Sequence, residues 1–157
     1  MIDPVKWLTD MFNYGDWVTE RLLNGVAEAD LGSNERINFI FNHVHNARRV
    51  WLERVRDGEV TYNFDAMNPL SEIAQQFPLL TAEWCTWLDE GGAGRLESLC
   101  AYQNLRGDAF EHKVYLIAQH VINHTTHHYH EVSALIRASG NVPPQTDYIA
   151  YVRLNKI

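Results

Sequence analysis

The chain has 157 residues, 46% of them hydrophobic and 21% charged, which suits one globular domain with a sizeable core. A net charge of −7, with no basic cluster stronger than Arg48-Arg49, argues against nonspecific nucleic-acid binding. No apolar run approaches the roughly 20 residues that a membrane helix needs. The opening Met1-Ile2-Asp3-Pro4 lacks the charged-then-apolar pattern of a signal peptide. The expectation is a cytoplasmic protein with no membrane and no nucleic-acid partner. Its cysteines, Cys85 and Cys100, are expected as reduced thiols rather than a disulfide.

A first helix is expected over 3–28. Asp3 caps it, Pro4 takes its first position, and Trp7, Met11, Tyr14, Val18, Leu22 and Val26 recur every three or four residues. Ala29 to Ser33 reads as a turn, with Ser33 or Asn34 capping a second helix over 34–57. That helix carries Ile37, Ile40, Val44, Ala47, Trp51 and Val55 on one face and ends near Gly58. Residues 59–70 lack periodicity and read as a long connection. A third helix is expected over 71–90, kinked or divided at Pro78 and ended by Gly91-Gly92-Ala93-Gly94. Between Arg95 and Glu111, the apolar Leu96, Leu99, Tyr102, Leu105 and Phe110 are interrupted by the turn signal Arg106-Gly107-Asp108, a pattern for a short hairpin. A fourth helix over 112–139 stops at Gly140, with Pro143-Pro144 beyond it. The tail, with Tyr148, Ile149, Tyr151, Val152 and Leu154, is apolar enough to pack back on the domain.

Four long amphipathic segments imply an all-α fold, a four-helix bundle spanning 1–157 as one domain. The short first link makes helices one and two antiparallel neighbours. The longer second link leaves room for a crossover.

Eight histidines are the compositional excess, and five of them fall between His120 and His130. His120, His124 and His128 follow one another by single helical turns. At about 100° per residue, Val114, Ile117, Val121, Val132 and Leu135 share a sector roughly 60° wide. His124 and His128 project into or beside it, flanked by His120, His127 and Glu131. Imidazoles turned toward a core need partners, because unpaired buried polar groups are costly. One reading is a set of core histidines satisfied by hydrogen bonds. The other is a metal ion, since two histidines at i, i+4 can share one ion and a facing helix can add a third ligand. Helix two offers His43, at the edge of its apolar face, and His45, directed toward solvent. His43 is therefore the candidate.

His45, His112 and His130 are expected as solvated surface residues. His120 and His127 stand between orienting a ligand and lining the rim. Glu131 stays open among fourth ligand, general base and solvated charge. The Trp84-Cys85-Thr86-Trp87 run reads as packing. No HExxH zinc-protease order, phosphate loop or GxSxG elbow is present. Three neutral imidazoles suit zinc or nickel, with iron, copper and manganese behind, better than magnesium or calcium. Three protein ligands leave an open position, the catalytic arrangement.

Three blocks of the chain resemble the DinB-like superfamily, also called DinB/YfiT-like metalloenzymes. Tyr14-Gly15-Asp16-Trp17-Val18-Thr19-Glu20-Arg21-Leu22-Leu23 is similar to its opening helix. His43, followed by Ala47 and Trp51, resembles its second helix. Asn123-His124-Thr125-Thr126-His127-His128, with Pro143-Pro144 and Thr146-Asp147 beyond, resembles its Asn-His-x-x-x-His helix and its Pro-Pro-x-Thr-Asp tail. The resemblance implies a four-helix bundle with a crossover between helices two and three, and a divalent metal on His43, His124 and His128. It also implies a homodimer and, from members of known activity, transfer or isomerisation dependent on bacillithiol, mycothiol or glutathione. After the last ligand the family often has Arg-Gly-Gln, where this chain has Tyr129-His130-Glu131.

The resulting expectation is a metal-dependent S-transferase joining a low-molecular-weight thiol to a small electrophile, with Glu131 or His127 accepting the proton. The rivals are a hydrolase using metal-activated water and a metal-stabilised, stress-related binding protein without turnover. An open pocket at the metal would favour the enzymes. A closed site with Glu131 as fourth ligand would favour the third reading.

Overall fold

Capping chemistry sets where the helices begin in the computed structural model, which describes residues 2–104 and 106–157. Met1 and Leu105, both used above, lie outside the described residues. The Asp3 carboxylate accepts from the backbone N–H of Val5 and Lys6 and opens α1 (Pro4–Glu28). The Asn34 side chain accepts from Ile37 N–H and opens α2 (Glu35–Asp57), which Gly58 closes in the left-handed conformation at φ 74°. Then come α3 (Leu70–Glu97), β1 (Leu99–Gln103), β2 (Ala109–Lys113), α4 (Val114–Ala138) and α5 (Tyr148–Asn155). The chain is mostly helical, and β1 and β2 form the short antiparallel hairpin that the turn signal suggested.

Helix α3 runs straight through Pro78. The one non-helical residue inside it is Gly92, at φ 57° and ψ −158°, so the divider is a glycine rather than the proline. The tail packs back as expected, with Tyr151 of α5 buried.

Helix pairing corrects another expectation. α1 lies against α3 and α4, and α2 lies against the same two helices. The first two helices therefore face each other across the interior and are not neighbours. The link 29–34 can reach about 20 Å when extended, enough to cross that diagonal, so its brevity did not decide the pairing.

Contacts between α2 and α3 rise together in number: His45 lies near Phe77, Arg48 bonds Thr81 at 2.7 Å, and Arg49 bonds Glu83 at 2.7 Å. The two helices therefore run in the same direction, and residues 58–69 must carry the chain back. Polar side chains of α2 hold that return in place. Glu53 accepts from the N–H of Thr61 and Tyr62 at 2.7 and 3.0 Å. Asn46 donates to the carbonyls of Phe64 and Ala66 at 2.9 and 2.7 Å, and Asn42 both donates to and accepts from Asn68. The segment thus lies along α2 with much of its backbone satisfied.

That cover overturns the solvent assignment of His45, which is buried at 1% exposure. Asn46 spends both amide hydrogens on loop carbonyls, so its Oδ1 faces His45 as an acceptor. His45 Nδ1–H donates to it at 3.2 Å, and burial holds the imidazole pKa down.

The buried faces also sit slightly off the expected ones. In α1 the first turns bury Val5, Leu8 and Phe12, while Trp7 is exposed. In α4 the buried side includes Thr125 and Tyr129, which leaves His124 and His128 half-buried at its edge, toward α2.

Among the described residues, one Arg, Lys, Asp or Glu side chain is buried. Arg48 is 1% exposed, with its guanidinium over the rings of Phe77 and Phe12 at 4.4 and 5.1 Å. Desolvation pushes its pKa down to about 10. Gly15 makes room for it, since a Cβ there would sit 2.7 Å from Arg48 Nη2. Beside it Trp84 is fully buried, stacks on Phe12 at 4.8 Å, and donates its indole N–H to the Arg48 carbonyl. Trp84→Ala is expected to cost about 3–5 kcal/mol, read as a lower urea midpoint. A change under about 1 kcal/mol would show that this layer collapses without loss.

Candidate metal centre

His43 comes from the middle of α2. His124 and His128 come from α4, four residues apart and therefore on one face. Antiparallel packing of the two helices brings them together: Trp51 meets His120, His43 meets His124, and Arg36 meets Glu131. One ligand atom from each of His43, His124 and His128 can be chosen so that all lie within 4.8 Å of one another. His43 Nε2 and His124 Nε2 are 3.1 Å apart. The ring centroids of His43 lie 4.9 Å from His124 and 4.6 Å from His128, and those of His124 and His128 lie 4.4 Å apart.

This donor set fits a transition ion. Nitrogens about 2.0–2.1 Å from a tetrahedral centre stand about 3.3 Å from each other, close to the separation of the nearest pair. The electrostatics point the same way. Burial lowers the pKa of His43, His124 and His128, and neighbouring imidazoles push His124 down to about 3. Imidazoles held neutral are ready to donate lone pairs, so little proton release need accompany binding at neutral pH. His43 is fixed by aromatic rings, with Phe39 parallel to it at 5.6 Å and Phe64 edge-on at 5.4 Å.

The remaining candidates fall outside this group. Glu131 is half-buried and bound in two-point fashion by Arg36, at 2.6 and 2.7 Å. That hydrogen bonding lowers its carboxyl pKa. His127 is exposed, its ring 5.2 Å from that of His128, and it makes no side-chain hydrogen bond among the described residues. His120 packs edge-on against Trp51 at 5.4 Å. His112 meets the Tyr102 hydroxyl at 3.2 Å, and His130 is exposed. Cys85 and Cys100 are free thiols away from the cluster, and burial lifts the Cys85 pKa to about 11.

Next to His124 a cavity of about 360 Å³ opens, lined by Val50, Trp51, Arg54, Phe64, Tyr102 and Phe110 among others. None of its aromatic lining was singled out as a site from sequence, because Phe64 and the hairpin reach it through tertiary folding. Arg36 carried a usable signal, since it precedes His43 by two helical turns and shares its face.

A model of the DinB family matches residues 8–156. The chain belongs to the DinB family. A search among curated proteins gave no match.

The blocks that mark this DinB-family chain meet in space. The Tyr14 hydroxyl of the opening helix donates to the Thr146 carbonyl of the tail at 2.6 Å, and Arg21 donates to the Gln145 carbonyl at 2.9 Å. Gly25 lies against Pro144, where a Cβ would come within 2.8 Å of the proline ring. The opening and closing motifs of the DinB-family chain therefore clasp α1 to the tail, while the Asn-His-x-x-x-His block supplies two of the clustered histidines.

Proposed function

We propose that this DinB-family protein is a metal-dependent S-transferase that joins a low-molecular-weight thiol to a small electrophile. In this reading the long helices are a four-helix bundle with a crossover between α2 and α3. His43, His124 and His128 hold one zinc or nickel ion at the side of it. The observation that carries the proposal is the cavity at His124, together with the capture of Glu131 by Arg36. A substrate-sized space beside the histidines, with the Glu131 carboxylate engaged by Arg36, supports an enzyme over a closed four-ligand structural site.

A bound ion supplies Lewis acidity that favours the ionised form of a thiol or water. The chain's own groups do the rest. Burial keeps the three imidazoles neutral, and Phe39 and Phe64 fix His43. The apolar cavity wall positions the electrophile and excludes water. When sulfur bonds to the electrophilic carbon, the leaving group departs with its electron pair. A ring nitrogen of His127, beside His128, accepts the thiol proton, since Arg36 holds the Glu131 carboxylate at both oxygens.

The test is a conjugation screen with glutathione, bacillithiol and mycothiol against a chloronitrobenzene acceptor, with zinc-loaded and chelated protein. Thioether formation at least tenfold above background, lost on chelation and in His128→Ala, is expected. Metal-dependent ester cleavage without thiol would replace the proposal with hydrolysis. Full metal loading with neither activity would overturn the enzyme reading.

A further inference from the structure

The cavity beside His124 has a polar end that its apolar walls do not explain. Arg54 lines it, and no Asp or Glu appears among its described lining residues. Three other arginines of α2 bind carboxylates: Arg36 holds Glu131, Arg49 holds Glu83, and Arg56 holds Asp57 and Glu83. Arg54 has no ion pair among the described residues. Among the described residues its guanidinium makes one hydrogen bond, a long contact of 3.4 Å to the Gln103 carbonyl.

The guanidinium is nevertheless held in place. It lies over the Trp51 ring at 4.6 Å and near the Tyr102 ring at 5.6 Å, and Trp51 and Tyr102 pack edge-on at 4.9 Å. A guanidinium seated on aromatic rings at these distances is restrained, and apart from the long Gln103 contact its N–H donors are available for two-point carboxylate recognition. A planar fork fixed in advance also loses less side-chain freedom when it binds.

We propose that this cavity takes an organic acid, its carboxylate on Arg54 and its apolar body between Phe64 and the hairpin aromatics. The assignment of this acid as substrate rests on the metal-site reading above. Arg54 follows Ala47, another lining residue, by seven positions, about 10 Å along the helix.

Calorimetry with 2-naphthoate and its neutral isostere 2-naphthamide tests the seat directly. Chelated protein is used, so that a carboxylate cannot bind an ion instead. Wild type should bind naphthoate at least tenfold more tightly than naphthamide. Arg54→Gln should lose that preference and keep its affinity for naphthamide, and Arg54→Lys should retain part of it. Equal affinities in wild type would overturn the proposal, without needing any variant. So would a naphthoate preference that survives in folded Arg54→Gln. Zinc content of the same preparations separates the two readings. Arg54→Gln should bind zinc as wild type does, and a wild type that binds no zinc removes the metal reading while the seat is scored on its own.

Discussion

Alanine at His43, His124 or His128 is expected to take bound zinc or nickel from about one ion per chain to almost none after identical loading and desalting. The effect should exceed about 100-fold in affinity, because losing even a residue that only orients a ligand costs 10–100-fold. Each of the three supplies one of few donors, and two remaining imidazoles cannot close the shell around the ion. His130→Ala is the neutral control, since that side chain is exposed and outside the cluster. His45→Ala is not neutral. It empties a buried site and strips Asn46 Oδ1 of a donor, so it should lower stability while the folded fraction still binds metal. Glu131→Gln should keep full stoichiometry, because Arg36 rather than an ion occupies that carboxylate. Full loading in His43→Ala would show that the third ligand comes from elsewhere. Full loading in all three variants would remove the site.

The histidine cluster was largely legible from spacing. His124 and His128 are neighbours on any helix, and His43 stood at the edge of the apolar face of the second helix, where α4 packs. The helices were legible for the same reason: Asp3, Asn34 and Gly58 are local signals read over a few residues. What failed depended on distant chain. His45 reads as surface on the wheel of α2, and only the return of residues 58–69 along that helix buries it. Arg48 stood out only as half of the Arg48-Arg49 pair, yet it is buried because Gly15 leaves a gap and Phe12 and Phe77 face it. The pairing of α1 and α2 was misread because a short link bounds how far two helix ends can be apart, not whether they touch. Arg54 and its cavity had no local signal, since the aromatic wall comes from three separate segments.

Acid is expected to destabilise the metal-free protein well above the pH at which carboxylates titrate. Burial lowers the pKa of His43, His45, His120, His124 and His128. Neighbours add to this. His128, His43, His120 and His127 push His124 down, to about 3, and Arg36 pushes down His43 and His128, while Glu131 alone pulls His128 up. In the unfolded chain each imidazole titrates near 6.5. Above that value neither state binds the proton, so these histidines add nothing to the pH dependence. Below it the unfolded chain takes up protons that the folded chain refuses, and stability falls as pH falls. For His124 the fall runs from about 6.5 to about 3. The melting temperature of chelated protein should therefore be flat from pH 8 to 7 and drop steadily from 6.5 to 4.5. Replacing His124 by Gln should make that drop shallower. The same shifts bear on the metal. A fully exposed imidazole triad would lose its ion below about pH 6.5 as protons compete. Here the folded ligands stay neutral further into acid, so zinc affinity should hold nearly level from pH 7.5 to 6. Saturating zinc should also raise the melting temperature throughout that range, because an ion that binds the folded chain stabilises it by mass action. A melting temperature that does not change between pH 7 and 5 would mean that the cluster is hydrated and titrates like free imidazole. The ready-neutral ligand set would then be lost, even if the three histidines still gather on the same faces of α2 and α4.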